Sequence, residues 1–275
     1  SGTGTSTISA GINIGSFDTT GYRGTIVHTS GSLGIFGAVA NFSNTMTYSP
    51  SVGTAVNFPG SSVATITLTT SGKTFNNITK SGTSTLRLAD NLTIGSGNTL
   101  SFTNGTFDAN DKNVTVGIFS STGTNARTLT MGTGTWSITG NNATVWNLAN
   151  TTGLTINRGN PVILNYSGST GTRTIVNGTT GGSEATAPDL SITGGSDSIA
   201  ITASSLLRNL NFTGFSGTLT NTARSIYGNL TISPTMTVSA GTNATTFAGT
   251  SGTQTITSNG KTLDFPLTFN GTGGT

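Results

Sequence analysis

The sequence predicts an all-β protein wound as a parallel β-helix, a β-solenoid with about 20 residues per coil. Three observations predict it. The phrase Asp189-Leu190-Ser191-Ile192 returns as Asn209-Leu210-Asn211-Phe212 and again as Asn229-Leu230-Thr231-Ile232, so its leucines recur at one equal step. After each phrase come a Gly or Pro break and a second short alternation, at Ile199 and Ile201, Thr218 and Leu219, and Thr237 and Val238. No stretch carries a helical period; Ser204 to Asn211 comes nearest and is too short.

The strands read in order along the chain. Thr65-Ile66-Thr67-Leu68-Thr69, Thr85-Leu86-Arg87-Leu88, Asn113-Val114-Thr115-Val116, Thr128-Leu129-Thr130-Met131 and Thr135-Trp136-Ser137-Ile138 all alternate with a period of two. That spacing sends aliphatic side chains to one face and hydroxyls to the other, where β-branched Thr suits a solvated pleat. Between them, pieces such as Gly95-Ser96-Gly97 and Asn104-Gly105 supply corners with positive φ. The phrase also fits Asn77-Ile78-Thr79, Asn91-Leu92-Thr93-Ile94 and Gly153-Leu154-Thr155-Ile156, with Leu92 to Leu154 near three steps, Leu154 to Leu190 near two, and Ile78 to Leu92 out of step. A right-handed helix of roughly 13 or 14 coils is expected, a rod of about 65 Å at ~4.8 Å per coil.

A longer repeat overlies the first. Gly21-Tyr22-Arg23-Gly24-Thr25-Ile26 matches Gly214-Phe215-Ser216-Gly217-Thr218-Leu219, Met46 matches Met236, and Gly72-Lys73-Thr74 matches Gly260-Lys261-Thr262. Residues 1–85 and 194–275 therefore read as related copies of a unit of about 190 residues, within a single continuous solenoid spanning 1–275. A unit of that size could instead be two β-sandwich domains of about 100 residues; the leucine step argues for the solenoid. The start at Ser1 without Met, and an end just short of the next expected strand, suggest an excerpt of a longer chain or a coil on which another copy stacks end to end.

Composition narrows the class. Charged residues are 7% of the chain, against roughly 25% in ordinary globular domains, and 40 residues are Gly. Hydrophobic residues are 32%, enough to bury a core. The net charge of +3 comes from basic residues scattered from Arg23 to Lys261 with no stripe to track phosphates, so no nucleic-acid partner is expected. There is no Cys, hence no disulfide or thiolate metal site. No apolar run approaches the roughly 20 residues of a membrane helix, so no membrane insertion is expected.

The run from Asn98 to Gly140 resembles the Gly/Thr/Ser/Asn-rich repeats of long β-solenoid surface proteins. These are phage tail-fibre and virion structural proteins, and bacterial adhesins of the filamentous-haemagglutinin and autotransporter-passenger type. The resemblance implies an extracellular, elongated, binding or scaffolding role at a cell surface or virion, with surface glycans as partners, and brings no catalytic residues and no cofactor.

Candidate sites are few. Asp108 and Asp111 are the candidates for a metal site, and Asp90 would stack on Asp108 if the local coil were as short as the interval between them. The competing reading is that Asp108-Ala109-Asn110-Asp111 is an Asx-rich turn. Trp136 and Trp146 could form a sugar-stacking platform if both face outward, although their apolar neighbours Ile138 and Val145 suit a core. His28 is the sole histidine and reads as a surface or turn residue. Three functions stay open: a non-enzymatic structural or adhesive fibre segment, a polysaccharide-degrading β-helix enzyme needing clustered carboxylates, and an ice- or surface-binding solenoid needing aligned Thr pairs such as those of Thr65 to Thr69.

Overall fold

A computed structural model describes residues 2–141, 143–178, 183–202 and 205–272. Ser1, Ser204 and the last three residues lie outside it. Every strand pair among the described residues is parallel, which excludes the antiparallel sandwich and leaves a β-solenoid of about 12 turns of roughly 22 residues. Each coil contributes in turn to three walls. The first wall begins with Thr5–Ile8, Thr25–His28 and Thr47–Pro50 and resumes as nine strands from Thr74–Phe75 to Ile256–Thr257. The second wall is unbroken, with eleven strands from Ile12–Ile14 to Thr237–Val238. The third runs from Phe17–Asp18 to Leu154–Asn157 and resumes from Ser205–Leu207 to Leu267–Phe269.

The leucine step is a true register. Leu190 lies opposite Leu210, and Leu210 opposite Leu230. The step is not uniform, however. Upstream on the same wall Val114 faces Trp136, Trp136 faces Val162 and Val162 faces Leu190, each interval longer than the one before. Longer corners absorb the difference, which is why there are fewer coils than the leucine step alone implies. The same phrase also occurs on different walls: Ile78 pairs with Leu100 on the second wall, and Leu154 with Arg127 on the third. Alternation dictates which residues face in, but all three walls use the same alternation.

What sets the Asn-Leu phrase apart is its asparagine. At the entry to the first wall, Asn91 Oδ1 accepts the N–H of Asn113 and Asn113 Oδ1 accepts that of Thr135, both at 2.9 Å. Further along, Asp189, Asn209 and Asn229 do the same for Asn209, Asn229 and Thr255 at 2.7–3.0 Å. The next residue then rejoins the backbone ladder: Leu210 N–H donates to Asn229 O. At these corners the side-chain oxygen stands in for a backbone carbonyl that has turned away, so these corner N–H groups keep a partner.

Inward side chains form one continuous core. Phe17, Phe42, Tyr48 and Phe75 pack at one end, with centroids 4.6–5.4 Å apart, and the Tyr48–Phe75 contact spans the break in the first wall after Pro50. Phe119 stacks on Trp146 at 4.8 Å and meets the edge of Trp136 at 5.6 Å in the middle of the rod. Four cations also point inward. Arg127 donates to Ser121 Oγ and to the corner carbonyls of Asn125 and Asn150, and Lys80 to those of Gly82 and Asn104. Arg173 pairs with Asp197 at 2.7 Å, both side chains wholly buried, and Arg224 lies over Phe265. Burial pushes the Lys80 ammonium down to about 8 and the Arg224 guanidinium down to about 10.

The two segments aligned by the long repeat carry one turn. Ser43 Oγ meets Thr45 Oγ1 at 2.8 Å and Thr45 donates to Tyr22 O; Ser233 Oγ meets Thr235 Oγ1 at 2.9 Å and Thr235 donates to Phe215 O. Yet Thr25 and Thr47 pair on the first wall, whereas Thr218 and Thr237 pair on the second. Inward and outward positions of the leucine phrase should respond very differently to truncation. Leu210→Ala is expected to cost about 2–5 kcal/mol in denaturant unfolding, and Thr231→Ala, on the outward face, within about 0.5 kcal/mol of none. Equal costs would contradict the register.

Candidate functional site

Each residue singled out in the sequence has a definite place. Asp108 Oδ1 accepts the N–H of Asn110 at 2.9 Å, an Asx turn, and its other oxygen lies 3.5 Å from Arg87 Nε. Asn110 and Asp111 both have positive φ, and Asp111 Oδ1 binds the N–H and hydroxyl of Thr133 on the next coil at 2.8 and 3.1 Å. Those bonds hold the Asp111 carboxyl below its ordinary value. Asp90 does not stack on Asp108, which faces Arg87 in the ladder; it accepts the N–H groups of Thr70 and Ser71. The local coil is longer than the interval from Asp90 to Asp108, and that is the reason. Among the described residues, no three His, Cys, Asp or Glu side chains gather into a metal-binding group.

Trp136 and Trp146 are wholly buried, so the outward sugar platform is corrected. Trp136 follows the alternation inward, and its Nε1 donates to Met131 O at 3.1 Å. Trp146 is turned in by a bulge between Thr144 and Trp146, which leaves Val145 and Trp146 both buried; its Nε1 donates to Asn177 Oδ1 at 3.0 Å. His28 is also inside, two residues beyond Ile26 on one strand, with Nδ1 2.9 Å from the Tyr48 hydroxyl and Nε2 without a partner.

The outer surface is built of hydroxyl and amide columns. Thr65, Thr85, Thr106, Thr128 and Thr155 stand in register over five coils of the third wall. The adjacent outward column reads Thr67, Arg87, Asp108, Thr130 and Asn157, so charges interrupt the paired Thr array that ice recognition calls for.

A concavity lies where the third wall is interrupted. Beyond Thr172–Val176 the chain forms no third-wall strand among the described residues before Leu190–Ile192. Ser183 to Ala187 make a compact turn there, with the N–H groups of Thr186 and Ala187 donating to Ser183 O. Two anchors hold it. Arg158 Nη1 donates to Glu184 O at 2.7 Å. The Glu184 carboxylate accepts the N–H and hydroxyl of Thr250 at 3.0 and 2.8 Å and the hydroxyl of Ser251 at 3.2 Å. These Thr250 and Ser251 bonds, with the Arg158 charge, hold the Glu184 carboxyl below its ordinary value. Between the anchors is a cleft of about 570 Å³ lined by Arg158, Ser183, Glu184, Ala185, Tyr227 and Thr250. Arg158, Tyr227 and Thr250 each sit at the corner following the third wall, on successive parts of the rod. Sequence reading missed this site because Glu184 belongs to no repeat; the signal was the long interval from Leu154 to Leu190, where an insertion rather than a second coil takes up the length.

Two measurements check these placements. Burial lowers the His28 pKa from its ordinary value near 6.5, so protonation favours the unfolded chain. Its contribution is complete above about pH 6.5 and is lost as pH falls from there through the lower folded value. Melting temperature should therefore drop between pH 7 and pH 5, and the drop should be smaller in His28→Gln; parallel curves would place His28 in water. Glu184→Ala should leave the global melting transition in place while speeding amide exchange at Thr186 and Ala187, and unchanged exchange would mean that the Thr250 contact does not hold the turn. Compared with known proteins, the chain has no match to a family model, to a curated protein or to a solved structure.

Proposed function

We propose that the chain is a non-enzymatic structural and adhesive segment of an extracellular fibre, at a cell surface or on a virion. The observation that carries this reading is the second wall, eleven parallel strands in unbroken order with one bulge at Thr144–Trp146. Such a stack resists bending and pulling because every coil is hydrogen-bonded to its neighbours along the axis, and stability sums over coil–coil interfaces. The outward columns of Thr, Ser and Asn suit a surface that works in water and meets polar partners such as glycans.

The last described strand carries exposed apolar side chains. Phe269 stacks on Phe247 at 5.3 Å and is still 67% exposed, and Leu267 beside it is 36% exposed. A second copy stacked on this face would cover both side chains and extend the ladder. Negative-stain electron microscopy of native material containing this chain is the test. Threads several times the ~58 Å of twelve coils at ~4.8 Å each are expected. Compact separate particles that cleave a polysaccharide would overturn the reading in favour of an enzyme.

A further inference from the structure

We infer that the cleft between Arg158, Glu184 and Tyr227 is a binding site for a neutral saccharide. The inference deepens the adhesive reading above and rests on it for its biological sense, but its chemistry stands on the cleft. The volume of about 570 Å³ falls within the usual range for small-ligand sites, about 300–1,000 Å³, enough for a mono- or disaccharide. Tyr227 supplies a half-buried aromatic ring, the group that a sugar's C–H face packs against. Its hydroxyl makes no hydrogen bond to the described residues.

The polar groups are complementary to sugar hydroxyls. Arg158 uses Nη1 on the Glu184 and Ala187 carbonyls, and its remaining N–H groups have no partner among the described residues, so they can donate. The Glu184 carboxylate is held in place by three bonds from Thr250 and Ser251 and keeps about one acceptor site for a further donor, since an ionised carboxylate accepts about four hydrogen bonds. Donor and acceptor are thus held before a ligand arrives, which lowers the entropy lost on binding. Charge balance selects the class. Arg208 nearby is paired with Asp189, and Arg158 faces Glu184, so the cleft offers no net positive field to a polyanion.

The test is titration of the full chain with a panel of neutral hexoses, N-acetylhexosamines and their disaccharides, alongside uronic and sialic acids, read by ligand-observed NMR. At least one neutral sugar should bind, with saturation transferred from tyrosine ring protons. Tyr227→Ala should weaken it about tenfold or more and Tyr227→Phe far less, with the melting transition confirming that each variant is folded. Where Tyr227→Ala fails to fold, Arg158→Lys and the tyrosine saturation signal in the unaltered protein decide. No binding at millimolar concentration, preference for the acidic sugars, or affinity indifferent to both Tyr227→Ala and Arg158→Lys would overturn the inference. Threads by microscopy without sugar binding would retire the cleft and leave the fibre; sugar binding by compact particles would do the reverse.

Discussion

In this molecule each coil can satisfy its backbone only through the coils on either side. Strand N–H and C=O groups point along the axis, and the flat walls meet that demand automatically. The corners do not, because there the chain turns and its polar groups swing out of the ladder. Much of what distinguishes one residue from another in this composition answers that problem. Asparagines at the entry to the first wall receive corner N–H groups, and aspartates at Asp90 and Asp111 do the same across turns. The inward cations serve the opposite need. Arg127 and Lys80 collect corner carbonyls that no strand reaches.

The same constraint explains the charge pattern. Four of the eleven basic residues and two of the eight acids are buried, so the surface is closer to neutral than the formal charge suggests. The basic character belongs to the scaffold's interior. Burying such groups is costly unless they are hydrogen-bonded. The Arg173–Asp197 pair meets the condition through Nε and Nη2, with two side-chain bonds of 2.7 and 2.9 Å and a further bond from Arg173 to Gly194 O. Arg173 Nη1 and both terminal nitrogens of Arg224, by contrast, have no hydrogen-bond partner among the described residues.

Much of the fold was legible because alternation and the leucine step are physical consequences of stacking. Leu190, Leu210 and Leu230 are spaced by the ladder itself. The phase of the three walls was not legible: Ile78, Leu92 and Leu154 look alike in sequence, yet each belongs to a different wall. His28 was misplaced because its polarity outweighed the alternation set by Ile26, and only the structure shows Tyr48 waiting for it. Trp146 needed a bulge that no residue type announces. The cleft escaped because its members come from four separated corners, and because Glu184 lies in the one long interval that resembled two regular steps.

The paired turns at Ser43–Thr45 and Ser233–Thr235 lie at different corners of the prism, the one leading into the first wall and the other into the second. If residues 1–85 and 194–275 are copies of one unit, its period is not a whole number of coils but advances by one wall, since Thr25–His28 lies on the first wall and Thr218–Leu219 on the second. In any array of such units a feature fixed within the unit would spiral around the shaft, reappearing on the same side only at every third copy. A filament decorated in this way has no blind side: whichever flank meets a surface, some copy presents the same contact to it.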